Sequence, residues 1–157
     1  MEFTPTRALT SGIADVPPTT VMIMSRRASA DDIDEICMGL PEVEFGTSWG
    51  DRPTYKVRGK GFVLHRAPHR TAIDPETGEP FDDLLVITTP TEVEKRALVE
   101  DDRLPFFTID HFNGYNAVLV QLSRLGEIDR EELVEIITEA WATKAPKTLA
   151  RKYFEDV

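Results

Sequence analysis

Six cations fall within residues 49–70: Arg52, Lys56, Arg58, Lys60, Arg66 and Arg70. Asp51 is the only acid among them, so the segment carries six charges minus one, or +5, in a chain of net charge -10. Clustered lysine and arginine do one kind of chemistry well, which is to bind phosphates or carboxylates. Lys56 and Arg58 share one face of an expected strand and Lys60 stands at the turn, an arrangement suited to phosphate contacts or to a two-stranded ribbon entering a DNA groove. The same pattern protects a solvated sheet edge from aggregation and then needs no ligand. On residue chemistry alone the solvated edge is the stronger reading. Docking onto an acidic protein surface is a third.

Other reactive residue types lack the spacing that chemistry requires. The chain has three histidines, His65, His69 and His111. The first two are four apart, but one falls on a strand and the other in a Pro-flanked loop, so they do not share a helical face as a metal pair would. Asp110 and His111 are adjacent in a turn, where neighbours seldom face each other, and no Ser or Cys nucleophile has a matching context. Arg58-Gly59-Lys60-Gly61 lacks the spaced glycines, the Gly-Lys-Ser/Thr ending and the following helix of a phosphate loop. The single Cys37 excludes an intramolecular disulfide and falls on an apolar helix stripe, as a small buried hydrophobe does. Trp49 and Trp141 sit beside apolar residues and are expected to be buried. No catalytic residue, metal ligand or cofactor is assigned, and the chain is read as a non-enzyme.

The elements that would position the cations follow from periodicity. Tyr55 and Val57 alternate with polar residues, Gly59-Lys60-Gly61 reverses the chain, and Phe62-Val63-Leu64 runs back, giving a basic hairpin. Ahead of it, residues 1–28 carry Pro5, Pro17 and Pro18 and no regular period, which predicts a disordered leader; Met22 and Met24 are each compatible with a start. Ser29, followed by Asp31 and Asp32, reads as the cap of a short helix with Ile33, Ile36, Cys37 and Leu40 on one stripe. Val43 and Phe45 lie on a short extended piece. Residues 67–82 hold Pro68, Pro75, Gly78 and Pro80 and read as a solvated surface loop. Leu84 to Thr88 is a continuous apolar run, hence a central strand. Thr91 and Glu94 form a capping box for a helix with Val93, Ala97 and Leu98 inward and Glu92 paired with Arg96 outside. Asn113-Gly114 turns into a strand from Ala117 to Leu122. Asp129 and Glu132 open the best helix, with Leu133, Ile136, Ile137, Ala140 and Trp141 inward. Pro146 then restarts a last turn anchored by Leu149 and Tyr153. A short hairpin turn and too few parallel crossovers exclude a doubly wound sheet, so the fold class is α+β, an antiparallel sheet with flanking helices on one side.

Length and charge bound the function. A chain of 157 residues forms one domain, expected over residues 29–157, that buries a core without staples. No apolar run approaches the roughly 20 residues that span a bilayer, and no signal peptide is readable, so the expected location is cytoplasmic with no membrane partner. A net charge of -10 argues against generic nucleic-acid binding, but the charge is polarised: residues 71–143 hold 17 acids and 5 bases, whereas Lys144, Lys147, Arg151 and Lys152 stand without an acid among them.

Leu40-Pro41-Glu42-Val43, then Trp49-Gly50, Pro53-Thr54-Tyr55-Lys56-Val57 and Gly59-Lys60 before Phe62, resemble the signature of the MmcQ/YjbR-like proteins. The Ala117 to Leu122 strand and the last helices, with Ala140-Trp141 and Ala145-Pro146-Lys147, are similar to members common in high-GC bacteria. The resemblance covers residues 29–152. It implies a compact antiparallel sheet with flanking helices, a DNA-binding label with wing-like hairpins, and no enzymatic chemistry or cofactor. Carried onto this chain, the wing corresponds to the hairpin bearing Lys56, Arg58 and Lys60; the net charge and the insertion at 67–82 depart from the pattern. The expectation is a non-enzymatic domain binding double-stranded DNA weakly through Arg52, Lys56, Arg58, Lys60, Arg66 and Arg70, with residues 144–152 assisting. The alternative is a protein-interaction module that docks an acidic partner on the same hairpin.

Overall fold

The computed structural model describes residues 26–48 and 50–156. Its five strands are β1 (Val43–Ser48), β2 (Arg52–Val57), β3 (Lys60–Arg66), β4 (Leu84–Thr88) and β5 (Ala117–Gln121), and its four helices are α1 (Asp31–Met38), α2 (Glu92–Glu100), α3 (Arg130–Lys144) and α4 (Lys147–Asp156). The strands form one sheet in the order β1-β2-β3-β4-β5, every pair antiparallel. The α+β expectation therefore holds, and each strand pairs with its neighbours in sequence.

Alternation along the strands builds a core on each face of the sheet. Tyr55, Val57, Val63, Leu85, Ile87, Val118 and Val120 join Ile33 and Cys37 of α1 and Leu133, Ile137, Ala140 and Trp141 of α3 in the larger one. Leu64, Leu84, Val86, Ala117 and Leu119 form the second with Ala72 and Phe112, flanked by Phe81, Phe107 and Ile109. All five residues of β4 are buried, which is why that strand reads as an unbroken apolar run. Among the described residues none of the four α-helices covers the second face. The covering residues come from the 67–82 segment and the connector before β5, so the segment expected to be a solvated loop contributes Ala72, 2% exposed, to the core. Its backbone closes on itself at the Ile73–Pro80 bridge.

Several local expectations shift. Ser29 does not cap α1; its N–H and hydroxyl donate instead to Asp32 Oδ2 at 2.9 and 3.4 Å, and Ala30 holds the cap position without a side-chain bond. Arg26 to Ala28, read as leader, pack on the domain: Ala28 N–H donates to Ile128 O, Arg130 N–H donates to Arg26 O, and Ala28 is buried. The remainder of the leader, and Trp49, lie outside the described residues. Thr91 caps α2 as expected and its hydroxyl bonds Glu94, while Arg96 pairs with Glu92 at 3.0 Å. The helix is nevertheless rotated from the expected face. Val93 is 72% exposed and Lys95 is 5% exposed, its Nζ donating to Phe112 O at 2.8 Å and Tyr115 O at 2.7 Å. Each of these carbonyls already accepts one backbone N–H, from Tyr115 and Ala117 respectively, and the lysine ammonium on its long apolar stem fills their second acceptor sites, tying α2 to the 110–116 turn.

Trp141 closes the helix side. It is fully buried, its Nε1–H donates to Pro41 O at 3.0 Å, and Tyr153 of α4 meets its ring edge-on with centroids 5.1 Å apart. The expected last turn is thus a ten-residue helix held by Leu149, Ala150 and Tyr153.

Candidate functional site

The basic hairpin exists, but it is not a free ribbon. β2 pairs with β1 on one side and β3 pairs with β4 on the other, so its strands are interior to the sheet and their backbones are spent in ladders. This corrects both the wing and the sheet-edge readings of the strands: only the tip projects. The tip is the two-residue turn Arg58-Gly59, with φ of 50° and 81°, between the paired Val57 and Lys60. Both left-handed positions match a type I′ hairpin, whose twist suits antiparallel strands. Lys60 and Gly61 belong to β3, not to the turn. A Cβ on Gly61 would lie 2.8 Å from Thr54 Cγ2, so close packing accounts for that glycine.

Several of the six cations are already engaged. Arg58 forms an ion pair with Glu42, which also has a positive φ of 59°, and that bond holds the Glu42 carboxyl below the usual carboxylate range. Arg52 pairs with Asp51 at 2.5 Å. Lys56 stands directly across from Glu44 in the β1–β2 register. Lys60 and Arg70 are exposed. Arg66 differs from all of these. Its Nη2 donates to Thr71 Oγ1 at 2.7 Å, its guanidinium carbon lies 5.5 Å from the centre of the Phe112 ring, and burial pulls its pKa below the ordinary value.

Register decides which cations meet. Arg52 and Lys56 lie on the face of β2 opposite the buried Tyr55 and Val57, away from α1 and α3. The Thr54–Leu64 pairing continues toward Arg52 and Arg66, which line one crevice of about 300 Å³ with Ala67, Pro68, His69 and His111. Lys60 pairs with Val57 and so belongs to the other face, at the tip. The tip is about 20 Å from Arg52, counting six residues at roughly 3.3 Å each. Residues 144–152 sit on the helix layer, where Leu149 and Ala150 pack into the larger core, so the sheet separates them from Arg52 and Arg66.

A second, open cleft of about 850 Å³ lies between the 67–82 segment and the connector before β5, with Asp74, Glu76, Phe107, Asp110 and Arg124 among its walls. Arg124 is committed to Glu127 at 2.7 and 2.9 Å. Among the described residues no histidine hydrogen-bonds a carboxylate, and no group of three His, Cys, Asp or Glu side chains converges as a metal site would. Cys37 is fully buried, and desolvation pushes its thiol far above the ordinary value. No described helix is long and apolar enough to cross a membrane.

Sequence reasoning missed two buried charges. Asp32, 2% exposed, accepts from Arg26 Nη2 at 2.6 Å and Nη1 at 3.0 Å and from Arg130 Nε at 3.2 Å, tying the segment before α1 to the start of α3. Lys95 is the other. An acid in the first helical turn and a lysine among helix surface residues are too ordinary for their types to reveal burial.

The geometry defines a small α+β domain whose sheet carries helices on one face and a partly open, cation-bearing second face. The chain belongs to the YjbR family, whose model matches residues 38–143. It is 33% identical over 126 residues, 80% of this chain and 95% of the relative, to the uncharacterized protein Rv2570 of Mycobacterium tuberculosis and, with the same coverage, to the uncharacterized protein Mb2600 of Mycobacterium bovis. No solved structure matches the chain.

Proposed function

We propose that the chain is a non-enzymatic binding domain that contacts the phosphates of double-stranded DNA on the open face of its sheet. The supporting observation is the placement of Arg52, Lys56 and Arg66 on the sheet face that none of the described α-helices covers. The span of about 20 Å from Arg52 to the tip corresponds to roughly six base pairs of duplex at 3.4 Å each, so Lys60 and the crevice reach separate phosphates. With Arg58 held by Glu42 and Arg52 shared with Asp51, binding rests on Lys56 and Arg66 of the open face and on exposed Arg70, with Lys60, which starts from the opposite face, joining only from the projecting tip. About four phosphate contacts give a log-log salt slope near -3.6. The complex is therefore weak and strongly dependent on salt.

Fluorescence anisotropy of a labelled duplex at low and physiological salt tests this, beside a Lys56→Glu/Lys60→Glu/Arg70→Glu variant that leaves the Arg58–Glu42 pair intact. Saturable binding that falls with salt and is lost in the variant supports the reading; no binding at low salt rejects it. One observation favours a second reading, an acidic partner protein. Glu42, Glu44 and Asp51 interleave with the cations, and a protein surface of mixed charge complements such a pattern better than a uniform row of phosphates. A stoichiometric, nuclease-insensitive complex together with absent DNA binding would decide for it.

A further inference from the structure

Arg66 is built differently from the other cations around it. Arg52 and Arg58 each have a carboxylate partner, whereas the only hydrogen bond that the Arg66 side chain donates among the described residues goes to Thr71 Oγ1. Its Nη1 is buried and lacks any acceptor. A buried guanidinium N–H without an acceptor carries a desolvation cost that native proteins seldom leave standing, and an absent anion is a direct way to relieve it. The ring of Phe112 beneath the guanidinium fixes its plane.

The neighbours in the crevice are arranged for the same ligand. His69 Nδ1 accepts from Thr71 N–H at 3.2 Å, and the Thr71 hydroxyl, which accepts from Arg66, stands 2.9 Å from the same nitrogen. With its Nδ1 lone pair occupied, neutral His69 carries its proton on Nε2 and is a donor there. The His111 ring lies 6.4 Å from that of His69, and Arg52 stands across the strand pair from Arg66. Among the described residues the crevice wall includes no carboxylate. Asp51, 86% exposed, is the nearest competitor, through Arg52, and Asp110 lines the other cleft. A volume of about 300 Å³ is at the bottom of the range for small-ligand sites and suits one oxyanion with little attached.

We propose that this crevice is a site for a single phosphate group, held by the guanidinium groups of Arg66 and Arg52 with His69 Nε2–H as a further donor. The inference rests on the DNA reading only for the bearer of that phosphate, a duplex or a free phosphate; the site itself stands on the Arg66 geometry.

The test follows arginine Nε–Hε and histidine ring signals by NMR while inorganic phosphate replaces chloride at constant ionic strength. Saturable shifts confined to Arg52, Arg66, His69 and His111 are expected. Arg66→Gln should weaken binding by about tenfold or more, the worth of one charged hydrogen bond. Arg52→Gln, at a position less committed to the fold, should weaken it severalfold, with thermal melts confirming that both variants fold. Shifts that grow linearly without saturating, or that persist unchanged in both variants, overturn the site. A labelled duplex run beside these arms separates the two readings. Phosphate binding without duplex binding keeps the crevice and removes the DNA reading. Duplex binding that survives Arg66→Gln, with no phosphate saturation, keeps the DNA reading and removes the crevice.

Discussion

Replacing Asp32 by asparagine isolates the one buried carboxylate that ties the segment before α1 to α3. Asp32→Asn removes the charge, keeps the shape, and turns an NH2 toward groups that only donate: Arg26, Arg130 and the Ser29 N–H. Breaking a buried ion pair costs about 3–5 kcal/mol because a charge is left uncompensated. Here the stranded partners are better solvated, with the Arg26 side chain 57% exposed and that of Arg130 30% exposed, so the expected loss is about 2–3 kcal/mol. For a domain of this size that lowers Tm by about 5–10 °C. The Arg26 hydrogen bond, aided by Ser29 and Arg130, holds the Asp32 carboxyl far below its ordinary value. A depressed folded-state pKa stabilises the fold above the unfolded value of about 3.9, and that contribution is lost as the pH falls through the folded value. Urea titrations of both proteins should therefore differ by a constant amount from about pH 5 to 8, begin to narrow only below about pH 4, and converge as the pH falls through the much lower folded-state value. A difference at neutral pH under about 0.5 kcal/mol, the scatter of surface substitutions, or one that stays constant into acid, would refute the network as a source of stability.

Lys95→Met keeps the apolar stem and removes the charged second donor from the Phe112 and Tyr115 carbonyls, which keep their backbone donors; the expected cost is about 1–3 kcal/mol by chemical denaturation, and a neutral outcome would mean the backbone bonds alone hold the turn. Arg58→Asn should be nearly neutral, because asparagine accepts the left-handed turn position and offsets the lost exposed pair with Glu42, whereas Arg58→Val should cost about 1–2 kcal/mol. Equal stability of the two variants would remove the strain argument. The Cys37 thiol, buried and pushed up by desolvation with a smaller push from Asp34, should resist iodoacetamide at pH 8.5 until urea unfolds the chain. Alkylation of the folded protein at the rate of a free thiol would contradict the burial.

What the sequence disclosed followed the strength of its periodicity. The stripe of α3 and the solid run of β4 were legible because one has a clean helical period and the other is buried on both faces. The Thr91–Glu94 box located the start of α2 but not its rotation, since Val93 is apolar and exposed while Lys95 is charged and buried for the sake of two distant carbonyls. The six cations were visible as a group, yet their surroundings were not. Glu42 and Glu44 precede the segment and reach Arg58 and Lys56 only through the β1–β2 register. Arg66 looked like its neighbours in type, and its pairing with Thr71 and Phe112 depends on how the 67–82 and 110–116 segments fold over the second face.

The meander also sets an order of events during synthesis. All five strands have emerged by Gln121, and the second face can be roofed by segments lying between those strands. The opposite face must wait for α3, which ends at Lys144; at about 5–20 residues per second that interval lasts roughly one to five seconds. In that window Tyr55, Val63, Leu85, Ile87, Val118 and Val120 present a wide apolar surface with only α1 and the Leu98–Val99 turn of α2 made to cover it. The nascent chain is therefore most vulnerable late in its translation, and a ribosome stalled between β5 and α3 would hold out a finished sheet without its lid.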